Sequence, residues 1–177
     1  MENLLEKLKE NYKISDLLKQ RDDLYIFTVD KSMLHSLLYE LKNVHKFIHL
    51  SMIACADWLE DGKFQLSYVV TNYEQQIQFS IRVFIDREKP EFLSIINLWA
   101  HAEINEREIR EFYGITFDGN PTQFEDFALE DWDDIPPMRR DFDTIKYSLE
   151  NFGERPGRHS KKVRKEIAVQ YKEWSRK

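Results

Sequence analysis

The chain has 177 residues, the length of one domain with an appendage, and its 42% hydrophobic and 14% aromatic content predicts a folded protein. A single cysteine, Cys55, excludes an internal disulfide, a thiolate zinc site and an iron-sulfur cluster held by this chain alone, because each takes two or more thiolates. No apolar run approaches the ~20 residues that cross a bilayer, and no signal-peptide pattern opens the chain, so we expect a cytoplasmic protein or one held at a membrane by others.

The net charge of −6 is divided unevenly along the chain. Residues 103–154 hold fifteen acids and five bases, a net charge of −10, and residues 118–134 hold seven acids without a base. Residues 158–177 hold eight bases against two acids, a net charge of +6. Opposed blocks of this kind predict an acidic surface segment followed by a basic tail, each able to face a partner.

The N-terminal part of the chain predicts a helix, a strand and a second helix. Apolar residues recur at helical spacing over about residues 3–19. Residues 24–29 are rich in β-branched and aromatic types, which is typical of a strand. Asp30 or Ser32 can cap the second helix, whose apolar residues fall at i, i+3, i+4 and i+7: Leu34, Leu37, Leu38 and Leu41.

Three strands are predicted next. Apolar residues alternate over 48–56, 64–70 and 77–85, and the dipeptide Asp61-Gly62 supplies a hairpin turn between the first two strands. In the third strand the polar residues point away from the apolar ones, so one face of the sheet is polar, as antiparallel sheets allow.

A further helix is predicted from the capping residue Ser94 to Gly114, because glycine suits a helix C-terminus. The resulting order, a helix and then β-α-β-β-β-α, predicts an α+β fold. We expect an antiparallel or mixed four-stranded sheet with helices packed on one face, forming a core domain over residues 1–115.

Residues 116–157 contain turn-forming glycines and prolines but also many large apolar side chains. A flexible linker lacks such apolar area, so these residues predict an extended, irregular arm that lies across a surface of the chain or of a partner. Residues 158–177 predict a basic, amphipathic C-terminal helix whose apolar stripe includes Tyr171 and Trp174.

Common catalytic and cofactor motifs are missing from the sequence. The histidines are not at metal-ligand spacing, and the sequence contains neither a P-loop nor a dinucleotide-binding glycine motif nor a nucleophile elbow. Cys55 lies in the most apolar strand, which predicts a buried and inert thiol.

The densest polar stretch lies on the last core helix. Glu103 can pair with Arg107, and Glu106 with Arg110, at i, i+4, which predicts a solvated, salt-bridged face. Asn105 and Glu106 nevertheless lie between apolar residues of the helix stripe. At least one of the two must therefore point inward and be paired there.

Several motifs resemble one protein family. They are E-R-E at residues 106–108, F-Y-G-I-x-F-x-G-x-P at 112–121, Trp132, and P-M-R-R-D-F at 137–142. They resemble the 30-kDa subunit of NADH-quinone oxidoreductase, respiratory complex I, and the related subunit of energy-converting membrane-bound NiFe hydrogenases. The chain departs at Asn120, where the family usually has histidine, and at 136–142, where the family usually reads H-P-L-R-K-D-Y. These departures favour the hydrogenase-type branch and leave the choice between quinone and proton reduction open.

The resemblance implies a subunit without a cofactor or activity of its own, peripheral on the cytoplasmic side of the cell membrane. It implies binding to a hydrogenase-large-subunit-like protein, which holds the NiFe centre or the quinone cavity, near the small subunit that carries iron-sulfur clusters. Membrane contact would come through other subunits. By analogy, the family motif and core residues are Glu106, Arg107, Glu108, Gly114, Gly119 and Pro121. The partner-docking residues are Trp132, Arg139, Arg140, Asp141, Tyr171 and Trp174.

Two other functions are compatible with parts of the sequence. The carboxylates between Glu103 and Glu111 could serve an enzyme as acid and base. The basic C-terminal helix, with Tyr171 and Trp174, could bind RNA through phosphate and stacking contacts. The acidic body disfavours RNA, and we expect no nucleic-acid partner.

Overall fold

A computed structural model describes residues 2–153, and the chain falls into two compact units, residues 1–142 and 143–177. The first unit contains α1 (Glu2–Tyr12), β1 (Ser15–Lys19), β2 (Leu24–Thr28), α2 (Leu34–Asn43), β3 (His49–Trp58), β4 (Lys63–Asn72), β5 (Ile77–Asp86), β6 (Glu91–Leu93), α3 (Ala102–Tyr113) and β7 (Thr116–Asp118). The described part of the second unit contains helix α4 (Thr144–Phe152). The C-terminal helix predicted over 158–177, with Tyr171 and Trp174, lies outside the described residues.

The first unit is built on a five-stranded mixed sheet in the order β1-β2-β5-β4-β3. Strand β2 runs parallel to β5, with Phe27 beside Ile81, and the other neighbouring strands are antiparallel. A second, small sheet pairs β6 with β7 in parallel. The predicted α+β fold is confirmed, and the main sheet has one strand more than the sequence predicts.

The additional strand is β1, which lies where the sequence predicts the end of the first helix. Helix α1 ends at Tyr12, and the φ angles of Lys13 and Asp16 are +49° and +51°, values incompatible with a continuing α-helix. Ile14 and Leu17 are partly buried against the core. Their spacing resembles a helical stripe, but an extended segment buries them instead.

The core lies on one face of the main sheet, as the alternation predicts. Phe79 is fully buried at its centre, with its ring stacked on Phe47 at 4.5 Å and edge-on to Phe27 at 5.4 Å between centroids. Fully burying a side chain of this kind contributes ~1.5–3 kcal/mol. The core also contains the fully buried residues of β4 and α2: Phe64, Leu66, Tyr68, Val70, Leu34, Leu37, Leu38 and Leu41.

Helix α3 begins at Ala102 and not beside Ser94. Residues 94–101 form turns, and the Ser94 hydroxyl accepts a hydrogen bond from the Ile96 N–H at 3.2 Å, so Ser94 caps a turn. The predicted end of the helix is confirmed, because Gly114 has a φ of +78° and its N–H donates to the Arg110 carbonyl at 2.8 Å.

The sequence predicts an irregular arm over 116–157; within the described part of this range, residues 116–153, the structure has two regular elements, β7 and α4. Helix α4 starts at a side-chain cap, since the Asp143 carboxylate accepts from the N–H groups of Ile145 and Lys146. Residues 119–142, which we call the long loop, contain neither helix nor strand. The predicted domain boundaries after residues 115 and 157 stay predictions. Within residues 2–153, no helix is both long enough and apolar enough to span a bilayer.

Candidate functional site

Glu106 of α3 is fully buried and binds three groups from two other segments. One carboxylate oxygen accepts from the Ile95 N–H at 2.9 Å. The other accepts from the Ser94 hydroxyl at 2.7 Å and from the Asn120 amide at 2.9 Å. Burial raises the pKa of Glu106, and these three hydrogen bonds oppose that rise. The inward, paired carboxylate that the sequence predicts is thus confirmed, and it joins the start of the 94–101 turns to the long loop.

The Asn120 side chain makes hydrogen bonds through both its NH₂ group and its oxygen. Its NH₂ group donates to Glu106 and to the Glu103 carbonyl, and its oxygen accepts from the Thr122 N–H at 3.1 Å. Gly119 precedes it with a φ of +95°, a conformation that a side chain would strain, and Pro121 follows within the turn. The motif residues around Asn120 therefore form a tight turn against α3.

Glu111 is a second buried carboxylate on α3. The sequence includes it only among the carboxylates of the enzyme alternative and does not predict its burial. It is 8% exposed and accepts from the N–H groups of Phe127 and Ala128, at 2.7 and 2.9 Å. The donors are backbone groups of the long loop, which leave no side-chain signature in the sequence. Glu106 and Glu111 thus fasten the long loop at two points.

The predicted i, i+4 ion pairs on α3 are wrong. The Glu103 carboxylate accepts from the Thr122 hydroxyl at 2.7 Å, and Glu106 is occupied as described. Arg107 pairs with Glu125 of the long loop at 3.2 Å, and its guanidinium lies 5.9 Å from the Phe127 ring centroid. Tertiary contacts with the long loop replace the local pairs.

Three further charged residues of α3 lie in or near the E-R-E motif. The Arg107 Nε atom is buried without a hydrogen-bond partner. Arg110 places its guanidinium 5.1 Å from the Phe124 ring centroid. Glu108 is half-buried, and its side chain makes no hydrogen bond or ion pair within residues 2–153. Of the E-R-E motif, Glu106 therefore makes the most buried contacts.

The Arg139 side chain packs directly against Gly114. A Cβ on Gly114 would lie 2.8 Å from the Arg139 Nη2 and 3.2 Å from the Pro136 side chain. Arg139 donates through Nε to the Tyr113 carbonyl at 2.7 Å and lies over the Phe64 ring at 5.4 Å. The end of the long loop thus packs on the C-terminus of α3, where a cation is favourable.

Arg140 and Asp141 belong to a charged network with Asp57 of β3 and with the residues Glu60 and Arg87, which follow β3 and β5. Arg87 binds the buried Asp57 carboxylate with two hydrogen bonds, at 2.9 and 3.2 Å, and binds Asp141 at 2.6 Å. Arg140 donates its N–H to Asp57 at 2.9 Å and its guanidinium to Glu60 at 2.5 Å. Burial alone would raise the pKa of Asp57, but the hydrogen bonds from Arg87 and from the Arg140 N–H lower it.

Trp132 packs edge-on against Phe142, with centroids 5.6 Å apart, and donates through its ring N–H to the Asp134 carbonyl at 3.0 Å. Arg139 and Asp141 likewise make contacts within the chain. The docking role that the resemblance implies for Trp132, Arg139, Arg140 and Asp141 stays a prediction. Within residues 2–153, no three His, Cys, Asp or Glu side chains are grouped closely enough to hold a metal ion.

Fold and site together define a class of protein: an α+β domain in which buried carboxylates of one helix fasten a long aromatic loop to the core. The family model described as "Respiratory-chain NADH dehydrogenase, 30 Kd subunit" matches residues 27–148. The chain belongs to this family, which confirms the resemblance. It is accordingly a subunit of the complex I-like or related membrane-bound oxidoreductase type.

The matches with individual relatives cover different shares of each relative's length. The C/D subunit of the NADH-quinone oxidoreductase of Phocaeicola vulgatus is 34% identical over 124 residues, 70% of this chain and 24% of that protein. The corresponding C-type protein of Moorella thermoacetica NADH-quinone oxidoreductase is 26% identical over 142 residues, 80% of this chain and 95% of that protein. The C-type protein of Methanosarcina mazei F(420)H(2) dehydrogenase is 26% identical over 119 residues, 65% of this chain and 73% of that protein.

Two solved structures share the fold. A chain of the membrane-bound sulfane sulfur reductase, an archaeal respiratory membrane complex, has a TM-score of 0.76 at 21% identity, covering 90% of this chain and 96% of that chain. The trypsin-resistant fragment (1–134) of Nqo5 has a TM-score of 0.58 at 23% identity, covering 68% of this chain and 96% of the fragment.

Proposed function

We propose that this chain is a non-catalytic structural and assembly subunit in the hydrophilic arm of a membrane-bound oxidoreductase of the complex I or hydrogenase type. It docks onto the large subunit that holds the quinone site or the NiFe centre, beside the iron-sulfur small subunit. Its role is to support electron transfer coupled to ion translocation, with all cofactors in partner subunits. The chain lies on the cytoplasmic side as a peripheral subunit and reaches the membrane through other subunits.

The use of the α3 carboxylates is the observation that carries this proposal. Glu106 and Glu111 are the buried acids of α3, the helix that the enzyme alternative uses, and both accept hydrogen bonds from donors of the chain itself. Each carboxylate accepts two or three hydrogen bonds from donors of the chain, and these bonds hold it in one position between α3 and its neighbouring segments. These contacts support a role for the motif in fixing the shape of a surface.

The named relatives support a role that is common to several complexes. Their names cover an NADH-quinone oxidoreductase and an F(420)H(2) dehydrogenase, and a chain of a sulfane sulfur reductase complex shares the fold. The electron donors and acceptors in these names differ, while a chain related to this one in sequence or fold is found in each. A subunit that binds no redox partner directly fits this pattern.

Purification of the tagged full chain from native membranes in mild detergent tests the proposal. We expect a large subunit and an iron-sulfur small subunit to co-purify in stoichiometric amounts. The chain expressed alone should be colourless and inactive with NADH, quinones or hydrogen. Stoichiometric iron, nickel or flavin in the isolated chain, or recovery of the native chain with RNA in place of these subunits, would refute the proposal.

A further inference from the structure

The hydroxyl of Tyr68, on strand β4, is a buried polar group that no group of the chain pairs with in the described part of the structure. Tyr68 has none of its surface exposed, and its hydroxyl oxygen makes no hydrogen bond within residues 2–153. Nearly all buried polar groups in proteins are hydrogen-bonded, either to protein or to ordered water, because an unpaired group costs free energy. The Tyr68 hydroxyl therefore requires a partner.

Contacts on two sides of Tyr68 lead to the same carboxylate, that of Glu106. Tyr68 lies opposite Ile53 in the β3–β4 register. The Ile53 N–H donates to the Asn105 side chain at 3.3 Å, and Asn105 directly precedes Glu106 on α3. On the other side, the Tyr68 ring lies 6.5 Å from the ring of Phe92 on β6, between centroids, and the turn after β6 supplies two of the donors to Glu106.

Glu106 has an acceptor position left for a further hydrogen bond. Its Oε1 atom accepts one hydrogen bond, from the Ile95 N–H, while its Oε2 atom accepts two. An ionised carboxylate offers about two acceptor positions on each oxygen. The Oε1 atom can therefore accept one more.

Tyr68 is also within electrostatic range of Glu106. Burial raises the pKa of Tyr68 well above its usual value, and the charge of Glu106 adds to this rise, followed by that of Cys55 on β3. The Tyr68 hydroxyl and the Glu106 carboxylate are thus near each other, although no hydrogen bond joins them directly.

The chemistry of these two groups selects what can lie between them. The hydroxyl can donate or accept a hydrogen bond, whereas the ionised carboxylate only accepts. A bridging molecule must therefore accept from Tyr68 and donate to Glu106, and water is the smallest molecule that does both. A metal ion does not fit, because within residues 2–153 no three His, Cys, Asp or Glu side chains are grouped to hold one.

We propose that one buried water molecule bridges the Tyr68 hydroxyl and the Oε1 atom of Glu106. The water accepts a hydrogen bond from Tyr68 and donates one to Glu106, so the carboxylate that fastens the long loop is also tied to strand β4. Tyr68 is then a positioning residue, which acts on Glu106 through the water. The inference does not depend on the proposed function, because it concerns only groups of this chain.

Locating the water in the full chain tests the inference directly, by a high-resolution crystal structure and by water-to-protein cross-relaxation in NMR spectra. We expect one ordered water within about 2.6–3.2 Å of both the Tyr68 hydroxyl oxygen and the Glu106 Oε1 atom. We also expect magnetisation transfer from this water to the Tyr68 ring protons. A hydroxyl that bonds directly to a group of the chain, or the lack of a water at this position, would overturn the inference.

The variant Tyr68→Phe gives a second measurement, because it removes the hydroxyl and keeps the ring. We expect the midpoint of the Glu106 titration, followed by NMR at its carboxyl carbon, to rise by at least about 0.5 pH unit, since the ionised carboxylate loses support. The denaturation midpoint should fall. An unpaired hydroxyl predicts the opposite change in stability, because its removal relieves a desolvation cost.

Tyr25→Phe is the matched control. It removes a tyrosine hydroxyl from strand β2, which strand β5 separates from β4, and Tyr25 contacts Phe79 edge-on at 5.9 Å between centroids. The Glu106 titration should keep its wild-type midpoint in this variant. An unchanged Glu106 midpoint in Tyr68→Phe, or an equal shift in both variants, would show that Tyr68 does not act on Glu106 and would overturn the inference.

Discussion

The sheet core and the long loop are held in different ways. The core relies on many apolar side chains, such as Phe64 and Phe79, each of which adds a modest share of the stability. The long loop is fastened to α3 by a few hydrogen bonds, which Glu106, Glu111 and the Tyr113 carbonyl accept. Changes in the core should therefore affect the whole fold, while changes at the fastening residues should release the long loop locally.

Phe79→Ala should have the largest effect, because it leaves a cavity at the centre of the sheet. We expect the free energy of unfolding to fall by about 3–5 kcal/mol, measured by chemical denaturation with circular dichroism. Phe84→Ala is the matched control on the same strand, since Phe84 is 38% exposed on the opposite face. Equal losses for the two variants would contradict the one-sided core.

Gly114→Ala should destabilise the fold by about 2–3 kcal/mol, because a left-handed alanine costs about 1–2 kcal/mol and the new Cβ displaces Arg139. Gly62→Ala is the control: Gly62 also has a positive φ, +62°, but nothing lies within 4 Å of its added Cβ. The excess loss at Gly114 measures the packing of the long loop. If both variants melt alike, Arg139 does not depend on Gly114.

Arg107→Ala should cost about 1 kcal/mol or less, because its partner Glu125 is 65% exposed and the pair is screened by water. A buried pair would cost about 3–5 kcal/mol. Thermal and chemical unfolding distinguish the two values. A loss in the larger range would mean that the Arg107 charge is essential to the helix packing.

The pH dependence of Glu106 should be the smallest effect. Burial raises its folded-state pKa above 4.5, so the unfolded chain releases this proton at a lower pH than the folded chain. The contribution of Glu106 to stability therefore decreases as the pH rises from about 4.5 to the folded pKa, and is constant above it. Asp57 behaves oppositely: its folded pKa is lowered, so its contribution is lost as the pH falls below 3.8.

The difference in unfolding free energy between the wild type and Glu106→Gln isolates this titration from those of the other groups. It should shrink as the pH is raised from 4 toward 7. A difference that grows with pH would mean that the hydrogen bonds outweigh burial and that the folded pKa is lowered.

Local sequence patterns predict most of the core because they reflect burial directly. The alternation of β4 and β5 and the leucine spacing of α2 match their buried faces. Strand β1 could not be predicted this way, since Ile14 and Leu17 have a spacing that also fits a helix. The parallel pairing of β2 with β5 joins residues distant in the sequence, which periodicity does not report.

The site was predictable where a side chain broke a pattern. Glu106 interrupts an apolar stripe, so a buried and paired carboxylate could be expected there. Glu111 could not be found, because its partners are the N–H groups of Phe127 and Ala128. The contacts of Arg107 and Glu103 with the long loop were missed for a related reason. A helix sequence shows which residues can pair at i, i+4, but it does not show which residues of the long loop they contact.

The central claim is that buried carboxylates of α3 fasten the long loop to a core that is stable without them. Amide hydrogen exchange in the full chain, comparing the wild type with Glu111→Ala, tests it most directly. The account predicts that the Phe127 and Ala128 amides exchange at least roughly tenfold faster in the variant, while the amides of β4 and β5 keep their protection. Unchanged exchange at Phe127 and Ala128, or an equal loss of protection throughout the sheet, would contradict it.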